Sequence, residues 1–420
     1  MNHNSPSEFD TRVHRIHDAL DMHLESGSWA SLVGTSHLIR NREDAREGYH
    51  RPQFTRTDFM AGLGGQGLIF SDGELWKKHR RIAQPLFHEH VMDNYIPAMH
   101  TAINGFIERI EQFRLNGETW DLPEETIRFT LRALYTGLFG IDIAADHERT
   151  QLIIPYMDTV GQITFSAMAT EMQVSPEKVM ELGATRRRID EELDRIIEAR
   201  SVSPPDSNDL IDSFRKEVSN QALKEELRTF FLAGAETTSN VLTWLLILLE
   251  QHEHITEELF AEVDQLPTNR ATNIQDVAQL PKLEATIREV MRLYPGVWVN
   301  AREATCDTEL NGRLIAKGDW LLICSYYLHR NPAHWDDPHA FRPSRFLDNP
   351  KGPERYSYVP FGEGRHMCIG RHFSEIESIL AAAEFLKRFR IERAERTPID
   401  AFPGLTLKPS GKIPVYVHAR

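Results

Sequence analysis

The chain has 420 residues, 41% of them apolar and 26% charged, a balance that excludes disordered and collagenous classes. Its 48 basic and 62 acidic residues leave a net charge of −14, against general nucleic-acid binding, which needs a cationic footprint on the phosphates. Three cysteines, Cys306, Cys324 and Cys368, none in a C-x-x-C pair, exclude a disulfide scaffold and point to a reducing, cytoplasmic location.

Residues 1–30 hold Glu8, Asp10, Asp18, Asp21 and Glu25 and no apolar core, so they are expected to form a poorly defined segment without a signal peptide or membrane anchor. Apolar periodicity broken by Pro and Gly then predicts helices over 74–88, 95–115, 124–139, 176–200, 208–218, 221–252, 283–293 and 371–389. A linker, S-V-S-P-P-D-S-N, occupies 201–208. Residues 230–249 are long enough to span a membrane and contain a single charge, Glu236. They also hold Thr237, Thr238, Ser239, Asn240 and Thr243, which favours a buried core helix. Strand signals are few and concentrated after Pro295. Residues 309–323 read as a hairpin, with turns at Asn311-Gly312 and Lys317-Gly318. The fold class is mainly α with a small β-sheet region, without internal repeats. Length alone allows two or three domains.

Residues 361–370 read F-G-E-G-R-H-M-C-I-G and run into an amphipathic helix striped by Phe373, Ile376, Leu380 and Ala383. A cysteine just before a helix has its thiolate favoured by the helix dipole and free N–H groups. Gly364 and Gly370 allow close backbone approach, and Arg365, His366 and Arg371 add positive charge. Such a thiolate is a soft ligand for iron. A lone cysteine in a turn is more often inert, so its companions matter.

This decade resembles the haem-binding signature of the cytochrome P450 superfamily, with Phe361, Gly362, Gly364, Cys368 and Gly370 in register. His366 stands where the family carries Arg or His. The resemblance implies that Cys368 is the axial iron ligand of haem b and that Phe361 shields it. It also implies the cytochrome P450 fold over 1–420 as a single haem domain, which would replace the two or three domains that length allows.

Further motifs occur in family order elsewhere in the chain. Residues 233–238, A-G-A-E-T-T, lie mid-way along the longest predicted helix, where a Glu and two Thr are costly to bury without a task. By resemblance Glu236 and Thr237 form the acid–alcohol pair that handles protons, with Ala233 and Gly234 leaving room for dioxygen and substrate. Glu289 and Arg292, at i and i+3, share a helix face, and Arg345 in F-R-P-S-R-F joins them in a structural network. Ser344 stands there where Glu is usual. Trp76 and Arg80 share a face of W-K-K-H-R-R. With His366 and Arg302 of V-N-A-R-E-A-T they are expected to hold the haem propionates. Loose mapping of family substrate regions onto 59–70, 155–174, 297–300 and 405–407 nominates Phe70, Ala233, Val297, Trp298, Asn300 and Leu407 as lining, suited to a small, mainly apolar substrate.

The implied activity is monooxygenation with dioxygen, fed by an external ferredoxin or flavodoxin and its NAD(P)H reductase. Lys77, Lys78, His79, Arg80, Arg81, Arg365 and Arg371 would present a cationic docking face to that donor. The alternatives are haem-thiolate peroxygenase, isomerase or reductase chemistry, or a haem sensor. A metallohydrolase could be built on His88/His90 or His252/His254, but neither H-E-H completes H-E-x-x-H.

Overall fold

A computed structural model describes residues 30–31, 34–57, 62, 65–143, 147–169, 175–202, 209–349 and 352–420. Its helices are α1 (Arg42–His50), α2 (Gly73–Ala83), α3 (Ile96–Asn116), α4 (Leu122–Phe139), α5 (His147–Ala169), α6 (Pro176–Val202), α7 (Leu210–Arg215), α8 (Asn220–Gln251), α9 (Glu253–Val263), α10 (Ile274–Val277), α11 (Pro281–Leu293), α12 (Ser325–Leu328), α13 (Ser344–Leu347) and α14 (Arg371–Leu386). The strands are β1 (Ala30–Ser31), β2 (Gly34–Ile39), β3 (Phe54–Thr55), β4 (Trp120–Asp121), β5 (Asn300–Ala304), β6 (Thr308–Leu310), β7 (Arg313–Ile315), β8 (Trp320–Ile323), β9 (Phe389–Arg393), β10 (Ala401–Pro403), β11 (Leu407–Pro409) and β12 (Pro414–Ala419).

Helix α8 is the axis of the helical body. The Ser219 hydroxyl caps it by accepting from the Ala222 N–H. Helices α4, α6, α7, α11 and α14 pack around it, with β9 and β11 at its sides. It meets the length and apolarity of a membrane span, but 83% of its most apolar window is buried within the protein. The expected core helix is what forms.

The main sheet runs β1-β2-β8-β5-β3, with β2 and β8 parallel and the other pairs antiparallel. Alternation along β5 buries Arg302 and Ala304 on one face, where the Arg302 guanidinium lies over the Tyr49 ring of α1. A second sheet, β4-β12-β9, closes against α3.

Several expectations needed correction. The 309–323 hairpin is really two units. Asn311 and Gly312, both at positive φ, close the β6–β7 hairpin, while β8 leaves to pair with β2 and β5. Strands are concentrated after Pro295 as expected; of the four before it among the described residues, β3 and β4 have two residues each and are held by β5 and β12, far away in sequence. Helices α1, α5 and α9 were not predicted, and α5 contains Pro155. The 74–88 helix stops at Ala83, where Pro85 enters a 3-10 turn. The 208–218 helix shortens to α7, and Phe389 opens β9. Most of the 201–208 linker and the segment 1–29 lie outside the described residues.

One buried polar network ties α11 to the loops beneath α14. Glu289 accepts from Arg292 at 2.7 and 2.9 Å and from Arg345 Nε at 3.0 Å, all three side chains being almost inaccessible. The Arg342 amide also donates to it at 2.8 Å. Arg292 then donates to the carbonyls of His329, Pro338 and Ala340. Arg345 donates to those of Asp336, Asp337 and Ala340. His329 carries the network onward, because its Nε2 accepts from the Val359 N–H at 2.8 Å, directly upstream of the cysteine loop.

Removing one member of a buried, matched ion network leaves the others uncompensated. Glu289→Gln is therefore expected to cost about 3–5 kcal/mol of stability, read as a lower urea midpoint. Burial, with Arg292 and Arg330 nearby, pushes His329 down to about 3. The unfolded chain thus binds a proton below about pH 6.5 that the folded chain refuses. Stability from this site is present above that pH and is lost as pH falls. Relative to His329→Gln, the wild-type melting temperature should drop progressively between about pH 6.5 and 4.

Candidate active site

The cysteine loop is a chain reversal closed on itself. The Gly362 N–H bonds the Val359 carbonyl, and the Cys368 N–H bonds the Phe361 carbonyl at 2.9 Å. Gly362 and Gly364 sit at φ 67° and 72°, the left-handed region that penalises a side chain. A Cβ on Gly364 would also stand 2.5 Å from the Tyr49 carbonyl oxygen. Gly370 differs: no atom outside its chain neighbours lies within 4 Å of where its Cβ would be, so it borders open space rather than a close backbone contact.

Cys368 is surrounded by protein yet keeps an accessible side chain, so its thiol faces an internal cleft. Burial pushes this thiol up, while the Gly370 amide, Arg80 and Arg371 draw it back toward the thiolate. The expected lowering by the helix start alone is thus outweighed by desolvation. A thiolate here calls for a bound cation. The Phe361 ring stands beside the loop with the Arg371 guanidinium 5.8 Å from its centroid.

Next to the thiol is a cationic cluster with too little acid. Arg80 of α2 donates to the Met367 carbonyl at 3.0 Å and to Gln84 at 2.6 Å, fastening α2 to the loop. Trp76, one turn earlier, lies 4.5 Å from the His366 ring. Its buried Nε1 and His366 Nδ1 have no hydrogen-bond partner among the described residues. Arg302 is buried, donates to the Ala301 carbonyl, and makes no ion pair among the described residues. Burial pushes Arg56 down to about 9, reinforced by Arg302, Arg80 and Arg365 and opposed by Asp72. Burial likewise pushes His366 down to about 4 against the pull of Asp72. Asp72, also the cap of α2, is the acid of the cluster. Burial opposes its charge, yet His366 and the Arg56 and Gly73 amides hold it well below the usual carboxylate range.

These residues fit a planar dianionic cofactor with a thiophilic metal. The thiol faces a cleft, open space borders Gly370, the Trp76 indole N–H lacks an acceptor among the described residues, and buried Arg302 with half-buried Arg56 and Arg80 shares one carboxylate, Asp72. Trp76, Arg80, Arg302 and His366 converge as the sequence reading expected. Arg56 and Asp72 were missed, for they belong to no motif and reach the cluster only through the fold.

On α8, Ala233, Gly234 and Thr237 keep accessible surface in an otherwise buried stretch, so this face borders a cleft. A Cβ on Gly234 would meet Leu134 of α4 at 2.4 Å, which adds close helix packing to its role. The Thr237 hydroxyl donates to the Ala233 carbonyl at 2.7 Å. Glu236 is buried and bonded to Lys408. Thr238 contacts Ser374 of α14 at 3.0 Å.

Of the substrate candidates, Phe70, Trp298 and Leu407 are buried and Val297 half-buried. Trp298 Nε1 donates to the Gly404 carbonyl, Leu407 bonds Gly296, and Trp244 Nε1 donates to the Leu407 carbonyl. Asn300 donates to Tyr49 Oη at 3.4 Å, beside the Arg302 cluster. Parts of 59–70 and 155–174 lie outside the described residues.

The docking face also changes membership. Lys77, Lys78, Arg81, Arg365 and Arg371 are exposed. His79 is buried against Glu226 at 2.5 Å, and Arg80 turns into the loop, so neither presents charge outward. Among the described residues no three His, Cys, Asp or Glu side chains converge as a metal-ligand group, which leaves His88/His90 and His252/His254 as pairs.

The chain is similar to known proteins in sequence and in fold. Residues 36–415 match the family description "Cytochrome P450". The chain is 30% identical over 366 residues to cyclooctatin synthase of Streptomyces melanosporofaciens, covering 82% of this chain and 76% of that protein. It is 29% identical over 361 residues to protein LUTEIN DEFICIENT 5, chloroplastic, of Arabidopsis thaliana, covering 80% of this chain and 61% of that protein. The crystal structure of the cytochrome P450DA heme domain shares the fold, with a TM-score of 0.84 at 23% identity over 99% of this chain and 97% of that one. The chain belongs to the cytochrome P450 family, whose cofactor is haem held by a cysteine thiolate.

Proposed function

We propose that this chain is a haem-thiolate monooxygenase acting on a small, mainly apolar substrate with electrons from an external donor. The observation that carries the reading is the cleft-facing Cys368 thiol set beside Arg56, Arg80 and Arg302, which outnumber their acid, Asp72. When bound, haem supplies the reductive activation of dioxygen and the insertion of one oxygen atom into a C–H bond.

The protein's own contribution is placement. Cys368 ligates the iron, and the Gly370 amide with Arg80 and Arg371 stabilises its anionic form. Trp76, Arg80, Arg302 and His366, joined by Arg56, hold the propionates, because buried cations gain most from a fixed anion. Thr237 holds a water by its hydroxyl oxygen, whose proton is committed to Ala233. Glu236 supplies protons to that position. Trp298 and Leu407, pinned by backbone bonds, keep the hairpin turn rigid over the cleft. Lys77, Lys78, Arg81, Arg365 and Arg371 receive an acidic ferredoxin or flavodoxin. The intact Glu236–Thr237 pair favours dioxygen over peroxide as oxidant.

Reduction under carbon monoxide should yield the strongly red-shifted Soret band of thiolate ligation, and Cys368→Ala should lose it. Absence of that band in the wild type would sink the reading. Arg302→Leu and Arg56→Leu should each weaken haem retention by about tenfold, the worth of one charge-assisted hydrogen bond. The rate of haem transfer to excess apomyoglobin measures this. A compound library screened by spin-state shift identifies the substrate class.

A further inference from the structure

Glu236 does not stand alone on α8. Lys408 of β11 places Nζ 2.9 Å from its Oε1, and the same Nζ lies 2.6 Å from Oδ1 of Asp158 on α5. One ammonium thus joins three elements far apart in sequence, and two carboxylates compete for it. Side-chain exposure rises outward along the triad, from 4% at Glu236 through 24% at Lys408 to 47% at Asp158. A buried carboxylate is thereby connected to solvent by two charged groups.

The two attachments of Lys408 differ in rigidity. Its strand is tied to α8 and to the turn after α11. Trp244 Nε1 donates to the Leu407 carbonyl, Asn240 to Thr406 Oγ1, and the Leu407 N–H to Gly296. Helix α5 instead packs chiefly on α6. It meets the hairpin where a Cβ on Gly404 would lie 3.2 Å from the Gly161 carbonyl oxygen. The Asp158–Lys408 contact is the one ion pair between α5 and β11 among the described residues. Burial opposes charge on Lys408, but Glu236 and Asp158 together raise its pKa and keep it an ammonium.

We propose that Lys408 is a positioning residue for Glu236, and that Asp158 couples the seating of α5 to proton supply in the active site. With α5 seated, the ammonium is shared and Glu236 is held loosely enough to accept and pass on a proton. With α5 displaced, Lys408 turns wholly to Glu236 and draws its carboxylate away from Thr237, which slows the transfer. Each proton that Glu236 passes toward Thr237 is replaced from water while Lys408 stays an ammonium throughout, and no electron moves through the triad. This rests on the monooxygenase reading above, and it adds that the seating of α5 and proton supply are one event.

The test uses haem-loaded wild type, Asp158→Asn, Lys408→Met and Lys408→Arg. Ferredoxin and its reductase drive turnover with dioxygen alone, in H2O and in D2O. Asp158→Asn should slow dioxygen consumption by about tenfold and enlarge the solvent isotope effect, as expected when a positioned proton donor is impaired. Lys408→Met should do the same and Lys408→Arg should restore both. Hydrogen exchange of the α5 amides should quicken in Asp158→Asn, reporting the loosened helix without reference to turnover. Unchanged rate and isotope effect in Asp158→Asn and Lys408→Met, with the carbonyl band intact, would overturn the proposal. So would faster α5 exchange with an unchanged isotope effect, because the contact would then be structural only. A wild type without the carbonyl band would instead remove the monooxygenase reading.

Discussion

A carboxylate and two guanidiniums can be buried together only if every donor and acceptor finds a partner, and the rest of this structure hangs on that condition being met around Glu289. Its oxygens are filled by Arg292, Arg345 and the Arg342 amide, while the remaining arginine N–H groups consume the carbonyls of five loop residues. The penalty for leaving any of these groups dry is large. The loops over 329–345 therefore have little choice of path. Through His329 and the Val359 amide the same constraint reaches the cysteine loop. A long, irregular segment is thus given one conformation without regular secondary structure.

Above this base the site is built by opposing burial with charge. Desolvation pushes Cys368 toward the neutral thiol and drives Arg56 and Arg302 downward. Each of these strains is relieved by a metal or an anion in the cleft. The energetic logic of the cluster is that of a binding site rather than a core, since Arg302 donates to a single carbonyl where Arg292 and Arg345 are each met by Glu289 and several carbonyls. The same opposition operates across the cleft, where Glu236 stays buried because Lys408 accompanies it.

What was legible in sequence was whatever is contiguous. The loop around Cys368, the A-G-A-E-T-T run and the W-x-x-x-R pair place their chemistry within one or two helical turns, so spacing alone carries the geometry. Long helices such as α8 and α14 were legible too, because many residues repeat the same periodicity. Strands of two or three residues were not, since their stability comes from remote partners. Helix α5 was hidden by Pro155 within it. His79 read as surface charge from its neighbours and turned out to be enclosed with Glu226.

By itself, then, the sequence determined that a cysteine before a helix, an acid–alcohol pair and a Glu–Arg pair occur in one chain in family order. Those are local patterns, set by helical repeat and by the glycines that a tight loop requires. Only the tertiary structure decided which charges share a space: Arg56 and Asp72 with Arg302 and His366, and Lys408 with both Glu236 and Asp158. Electrostatic interaction depends on distance and burial rather than on position along the chain. Partners separated by 172 and 250 residues leave no pattern in sequence until folding brings them together.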